Sequence, residues 1–339
     1  GKNTLWQVGT DHAGIATEMV VERRLNAEGK TKSDIGREAF EKEVWKWKKF
    51  SGNKITSQLR RLGSSLDWSS ERFTLDEEYQ HAVLSAFIQL FEEGLIYQGK
   101  RLVNWDPVLE TSLSDLEVVN KDVTIKIWEI KYQLEETDEF VTVATTRPET
   151  LLGDMALAVN PSDKRFSHLI SKKASLPLCN RLIPIVADTY VDPEFGTGVA
   201  KITPGHDFND YDLGKRHGLH MDEDFQCHSG AEADFAPISI LNKTVEIIGV
   251  APKKFHGMDR FEARKVILED LIEENLLVSE KEYESTLPYG DRSDQILEPL
   301  LTDQWYVDTK TLAKPAIEAV KSGEIQFVPA NWEKTYFQW

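Results

Sequence analysis

The stretch KITPGHDFNDYDLGKRHGLH, residues 201–220, gathers Lys201, His206, Asp207, Asp210, Lys215, Arg216 and His217 within seventeen positions. Imidazoles and carboxylates could ligate a divalent ion. Two carboxylates beside a lysine could instead line a hydrolytic pocket. A third reading is purely structural, since TPGHDFND is good chemistry for a helix start with Asp207 as its cap. His206 and His217 stand eleven positions apart, and helical spacing does not obviously converge them, which weakens the metal reading. The residues alone leave a hydrolytic pocket and a capped polar helix both open.

Three further stretches could hold a ligand. In EFGTGVAKITP (194–204), Gly196 and Gly198 permit close backbone approach or a positive φ. A glycine-rich turn before a strand explains them equally well. In ATTRPETLLGD (144–154), a strand ends in Thr145, Thr146 and Arg147, and Pro148 holds the preceding residue extended. Hydroxyls, an arginine and free backbone N–H groups suit a phosphate or a ribose, although a plain strand-to-turn transition would look the same. In GTDHAGIATE (9–18), Asp11 follows a short apolar run, the place where an open α/β sheet puts ligand-binding groups. It could also be a helix cap.

The elements that must position these residues follow from hydrophobic period. TLWQVG reads as a short buried strand and residues 13–25 as a helix. KSDIGREAFEKEVWKWKKF reads as one helix capped by Ser33 or Asp34, with Ile35, Phe40, Val44 and Trp47 near one face. DEEYQHAVLSAFIQLFEEG (76–94) is an amphipathic helix stopped at Gly94, and LIYQGKRLVNW alternates like a hairpin or a strand pair. Near Val123 the texture changes to period two. IKIWEIKYQL, EFVTVATT, RLIPIVADTYV and GVAKITP read as strands, with helices at 208–217 and 259–276. QILEPLLTDQWYV and KTLAKPAIEAVKSG then give a last strand and helix. The expected organisation is an α/β chain: 1–123 and 286–339 form a helix-rich, Rossmann-like body, into which a β-rich, barrel-like domain, 124–285, is inserted.

Composition limits the classes. Forty per cent hydrophobic and 29% charged residues over 339 positions describe a globular protein of about two domains. No apolar run approaches the roughly 18 residues of a membrane span, and no charged-then-apolar leader opens the chain. Cys179 and Cys227 lie far apart, in neither disulfide-framework nor metal spacing, as expected of a cytoplasmic protein. A net charge of −17 argues against wholesale nucleic-acid binding but allows one basic face. The chain begins without Met and stops in an aromatic run, Tyr336-Phe337-Gln338-Trp339, so a piece of a larger protein is expected.

Taken together, LWQVGTDHAGIATEMVVERRL, RRLGSSLDWSSERFTLDE, GKRLVNWDP, VATTRPETLLGD, EFGTGVAKITPGHDFNDYDLGKRH and LTDQWYV resemble the valyl-tRNA synthetases of bacterial type, in this order and at about this spacing. The resemblance covers residues 1–339. The family's two ATP signatures, HIGH and KMSKS, occur nowhere in the chain; by family order they would precede Gly1 and follow Trp339. The resemblance therefore implies part of the catalytic domain plus the whole inserted editing domain. ATP and Mg²⁺ are expected for the full-length parent, no cofactor for this piece, and valine activation by this piece alone is not expected. Gly205 stands where the family usually has Ala, a change expected to matter little. Residues 220–236, HMDEDFQCHSGAEADFA, look like an insertion at the pocket rim or the tRNA approach.

What the resemblance implies about residues can be stated one by one. Asp210 would anchor the substrate's α-ammonium, and Asp207 would read a threonine hydroxyl or orient water, with the two roles open to exchange. Lys201 would supply positive charge and Thr203 a hydroxyl. Thr145, Thr146 and Arg147 would hold the terminal adenosine, Phe195 would wall the pocket, and His206 would act as base or support the loop. Asp11 would bind the valine amino group in the incomplete synthetic site. The expected activity is hydrolysis of threonyl-tRNA(Val), and perhaps of the threonyl-adenylate, without metal and without a covalent intermediate. The expected partners are the acceptor end of tRNA(Val) and threonine and valine as esters; the chain is expected to be a monomer with no membrane contact. A tRNA acceptor-end binding module without catalysis is the alternative, and a metal-dependent hydrolase of unrelated substrate is a third.

Overall fold

The computed structural model describes residues 3–339, which fall into two compact units. The first holds residues up to Gln98 together with Trp305–Trp339; the second runs from Gly99 to Gln304.

In the first unit, β1 (Gln7–Thr10) pairs parallel with β2 (Asp67–Phe73). A parallel pair needs a long crossover, and four helices supply it: α1 (Gly14–Ala27), α2 (Lys32–Ile35), α3 (Arg37–Ser51) and α4 (Lys54–Arg61). Val21, Leu25 and Phe40 are buried together, with Ile35, Val44 and Trp47 packed on them, so the expected apolar face is the one used. The single helix expected from residue 33 is instead two. Thr31 is the N-cap and exchanges hydrogen bonds with Asp34, and Gly36 at φ 74 breaks the helix before Arg37. That backbone conformation is open to glycine and costly for other residues. Helix α5 (Glu77–Glu92) matches its expected span, with Gly94 at φ 72 just past its end.

LIYQGKRLVNW forms neither a hairpin nor a strand pair. It is one strand, β3 (Ile96–Asp106), in which Gly99 stays extended, so no φ > 0 turn forms. Residues Asn104–Asp106 of β3 pair antiparallel with β4 (Thr111–Leu113). Then β5 (Val118–Leu134), β6 (Phe140–Thr145), β7 (Ala156–Val159), β8 (Lys173–Ser175), β9 (Leu182–Ala187) and β10 (Val199–Ile202) follow. After helix α6 (Phe208–Arg216) come β11 (His220–Met221), β12 (Cys227–His228), helix α7 (Arg260–Glu273), β13 (Leu277–Gly290) and β14 (Glu298–Val307). Helices α8 (Thr309–Lys321) and α9 (Trp332–Gln338) close the chain.

The main sheet of the second unit runs β10-β7-β9-β8-β5-β13, with β6 also on β5 and lying against β10, so the sheet curls on itself. Ile130, Tyr132, Leu151, Leu157, Ile183, Ile185 and Ile202 fill its interior, and Ala263, Ile267 and Leu271 of α7 pack into the same core. Strand β13 is invisible to period-two reading because it forms an exposed ribbon with β5. Its charges pair across the strands, Lys126 with Glu280 and Lys281 with Glu129, instead of alternating with apolar residues.

The 220–236 segment folds as the β11/β12 hairpin. Asp222 accepts from Asp224 N, Gln226 N and His228, and Gln226 Oε1 accepts from Leu182 N at 2.7 Å, which ties the hairpin to β9. Phe235 then stands edge-on against Tyr211 of α6 at 5.0 Å. Among the described residues no helix is long and apolar enough to cross a membrane.

Candidate active site

Strand β10 delivers Lys201, and the turn after it delivers Thr203 to Asp207. Asp207 is the N-cap of α6, in extended backbone (φ −149, ψ 134), and its Oδ1 accepts from the N–H groups of Asn209 (2.9 Å) and Asp210 (3.1 Å). The cap leaves a second carboxylate, Asp210, in the first turn of α6. Asp210 Oδ2 accepts the Thr203 N–H at 2.8 Å. Asp207 Oδ2 and Asp210 Oδ1 make no hydrogen bond among the described residues. Two neighbouring carboxylates at a helix N-terminus therefore each keep one open acceptor. Burial, and then the charge of Asp207, push the Asp210 carboxyl up to about 7, with Lys201 opposing. Tyr190, half exposed, is pushed up by partial burial and by facing both carboxylates, which places it at this site.

Lys201 and Thr203 lie beneath. The Lys201 ammonium donates to Thr150 Oγ1 (2.9 Å), Asp154 Oδ1 (3.0 Å) and Thr203 Oγ1, so its three protons are all engaged. Thr203 is buried, and its hydroxyl donates to Asp154 Oδ1 at 2.6 Å. Its hydroxyl and its backbone N–H are thus both engaged within the protein. Lys201 and Thr203 do share a side, as i and i+2 residues should.

Arg147 is wholly engaged within the protein. Its Nη1 donates to the His206 carbonyl (2.8 Å), its Nε to Glu149 (3.2 Å) and its Nη2 to Glu298. Glu149 is also held bidentately by Arg264 (2.8 and 2.9 Å), and Glu298 by Arg260 (2.7 Å). Burial opposes ionisation of Glu298, yet the guanidinium groups of Arg147 and Arg260 hold its carboxyl far below the usual range. Such pairs matter most for what their loss would leave uncompensated. They fix the carbonyl immediately before Asp207. His206 is 1% exposed; its Nε2 accepts the Ile240 N–H (3.0 Å), while Nδ1, without a hydrogen-bond partner, lies 3.6 Å from Glu298 Oε1. Burial lowers its pKa, so it stays neutral with its acceptor nitrogen occupied, a loop support by geometry.

Gly205, expected to be an exchange of little consequence, is held in a close backbone approach. A Cβ there would stand 2.0 Å from the Ile238 carbonyl oxygen, so in this chain the glycine is required by the close passage of residues 238–240. Thr145 accepts from Arg147 N at 3.1 Å, and Thr146 is half-buried beside it. Phe195 is 59% exposed on a loop passing close to Ala144, its ring 6.5 Å from Tyr283. Asp11 belongs to the first unit. There it accepts from Ala13 N and, with His12, Trp45, Lys48 and Arg72, lines a cavity of about 600 Å³. His217 bonds Asp188 (2.9 Å), away from His206, and among the described residues no group of three or more His, Cys, Asp and Glu could hold a metal ion. Sequence reading missed Asp154, Tyr190 and Glu298. Asp154 closes the quoted ATTRPETLLGD, but Glu298 lies 151 residues from Arg147, and no local signal could join them.

The family model for tRNA synthetases class I (I, L, M and V) matches residues 1–339. The chain belongs to the class I tRNA synthetases. Valine--tRNA ligases of Legionella pneumophila (strain Paris) and Coxiella burnetii (strain RSA 493 / Nine Mile phase I) are 55% and 54% identical to it over 339 residues, and that of Francisella tularensis subsp. tularensis (strain SCHU S4 / Schu 4) is 52% identical. The alignments cover 100% of this synthetase chain and 35% of each relative, so the chain spans about a third of their length. A solved ternary complex, Agrobacterium radiobacter K84 agnB2 LeuRS-tRNA-LeuAMS, overlays at TM-score 0.32 and 15% identity over 88% of this chain and 46% of that one, too loosely to carry an argument. The mixed α/β architecture with its β-rich body is that of a class I synthetase piece.

Proposed function

We propose that the second unit is an editing hydrolase that removes threonine from threonyl-tRNA(Val), and that it accepts threonyl-adenylate as well. The observation carrying this reading is the pair of open carboxylate oxygens, on Asp207 and Asp210, side by side at the start of α6. An aminoacyl ester offers an α-ammonium, and threonine adds a hydroxyl, both donors. Valine and threonine are nearly isosteric, so an apolar synthetic pocket separates them poorly, by about 10² in the valine enzymes already characterised. A second pocket succeeds by the reverse logic. An acceptor left unpaired by valine costs about 1–3 kcal/mol.

In this reading Asp210 holds the α-ammonium, whose charge draws the carboxylate back to its ionised form. Asp207 accepts the threonine hydroxyl or orients the water. That water's oxygen attacks the ester carbonyl carbon, the bond to the ribose oxygen breaks, and the ribose hydroxyl takes up a proton, leaving free threonine and tRNA. Lys201 and Thr203 support the carboxylates from below, and Arg147 with His206 holds the loop. Thr145, Thr146 and Phe195 line the approach for the terminal adenosine. Asp11 serves the valine amino group in the whole enzyme, where ligation with ATP and Mg²⁺ takes place.

The test is hydrolysis of threonyl-tRNA(Val) and valyl-tRNA(Val) by this chain, with and without EDTA. Selective, EDTA-resistant loss of threonine is expected. Binding of tRNA without hydrolysis would mean a docking module instead, and EDTA sensitivity a metal-dependent site.

A further inference from the structure

Asp154 has no place in the steps above, yet it is fully buried at their centre. Its Oδ1 accepts from Lys201 Nζ at 3.0 Å and Thr203 Oγ1 at 2.6 Å, and its Oδ2 from Tyr132 OH at 2.7 Å. Thr203 joins it to the site, for the same residue gives its hydroxyl proton to Asp154 and its backbone N–H to Asp210. The Lys201 ammonium would otherwise be an uncancelled positive charge beneath two carboxylates meant for a cation.

We propose that Asp154 is a positioning residue: it neutralises Lys201 and orients Thr203, so that Asp207 and Asp210 face a bound ligand as uncompensated negative charge matched to a cationic amino group. The inference deepens the editing reading and rests on it for the ligand's identity. Its geometry explains why a lysine can lie beneath an ammonium site without repelling the ligand. Because Asp154 takes the Thr203 proton, Thr203 cannot turn its hydroxyl toward Asp210, which is left with the backbone N–H alone. The charged and titratable groups facing Asp210 are Asp207 at the start of its helix, Lys201 on β10, Tyr190 on the loop after β9, and Asp154. Those facing Asp154 are Lys201 and Tyr132, with Arg181, Cys179 and Cys227 close by.

The test follows Asp210 by carboxyl ¹³C NMR across pH in the full chain, in Asp154→Asn and in Lys201→Met. Asp154→Asn removes a negative charge and frees the ammonium, so the Asp210 midpoint is expected to fall by about one pH unit or more. Lys201→Met is expected to move it upward. A folded Asp154→Asn with an unmoved midpoint overturns the proposal. Should Asp154→Asn not fold, the paired Asp154→Asn/Lys201→Met variant decides: two charges that cancel can be removed together with the Asp210 midpoint staying within about half a pH unit of the parent, and a midpoint that moves by about one unit or more overturns the proposal. In parallel, Asp154→Asn should raise KM for threonyl-tRNA(Val) roughly tenfold, with kcat within about twofold; a merely structural role would lower kcat and leave the Asp210 midpoint alone. If the unaltered chain hydrolyses nothing, the editing reading fails while the titration still decides the role of Asp154.

Discussion

Replacing Asp210 by Asn should make the protein more stable and less active at once. The Asp210 carboxyl is pushed up from 3.8 to about 7 in the folded protein. Between roughly pH 4 and 7 the folded state keeps a proton that the unfolded chain has lost. The unfolded state then binds fewer protons, so stability falls as pH rises through that window. About three pKa units at 1.36 kcal/mol each bound the loss near 4 kcal/mol, and the partial exposure of the side chain brings it to about 2–4 kcal/mol. Asparagine does not titrate, and its Oδ1 can still accept the Thr203 N–H. The gap between Asp210→Asn and the unaltered protein should therefore be near zero at pH 4 and reach about 2–4 kcal/mol at pH 8, or roughly 5–15 °C in the melting midpoint of a unit this size. Urea unfolding at pH 4, 6 and 8 reads it directly. Deacylation by the same variant should drop by about 10² or more, because the ammonium loses its counter-ion. Parallel stability curves for the two proteins would refute the burial argument, and an undiminished deacylation rate would refute the anchoring role.

Two further substitutions separate the roles of neighbouring residues. Asp207→Ala should cost about 1 kcal/mol of stability through the lost cap and erode the preference for threonyl over valyl ester; an unchanged ratio in a competition assay would show that Asp207 does not read the hydroxyl. Gly205→Ala should destabilise the chain by about 1–3 kcal/mol, because the Ile238 carbonyl must retreat, and a denaturation midpoint within error of the parent would show that the 238–240 segment yields freely.

Helices and single strands were legible wherever a residue's environment repeats along the chain. Phe40, Val44 and Trp47 fall on one helical face because their surroundings recur every 3.6 residues, and β6 alternates because one of its sides meets the core; β9 is legible instead as a short apolar run, Ile183 to Val186 being buried in succession. Where the local rule is broken by a backbone turn, the reading slipped: Gly36 splits a helix whose side chains alone look continuous. The β5/β13 ribbon hid β13 because its stabilising pairs are charges on a partner about 150 residues away.

The sequence by itself determined the family, the identity of the candidate residues and the capping chemistry that begins α6, since each depends on residue types at short spacing. Only the tertiary structure decided what each side chain meets. Asp207 and Asp210 keep open oxygens; Lys201, Thr203 and Arg147 do not, because Asp154, Glu149 and Glu298 reach them. Gly205 turned from an incidental exchange into a requirement for the same reason, a carbonyl brought in from Ile238. Hydrogen bonding and close packing act over a few ångströms of space and are indifferent to separation along the chain. The types of the reacting groups can therefore be read in order, and their partners cannot.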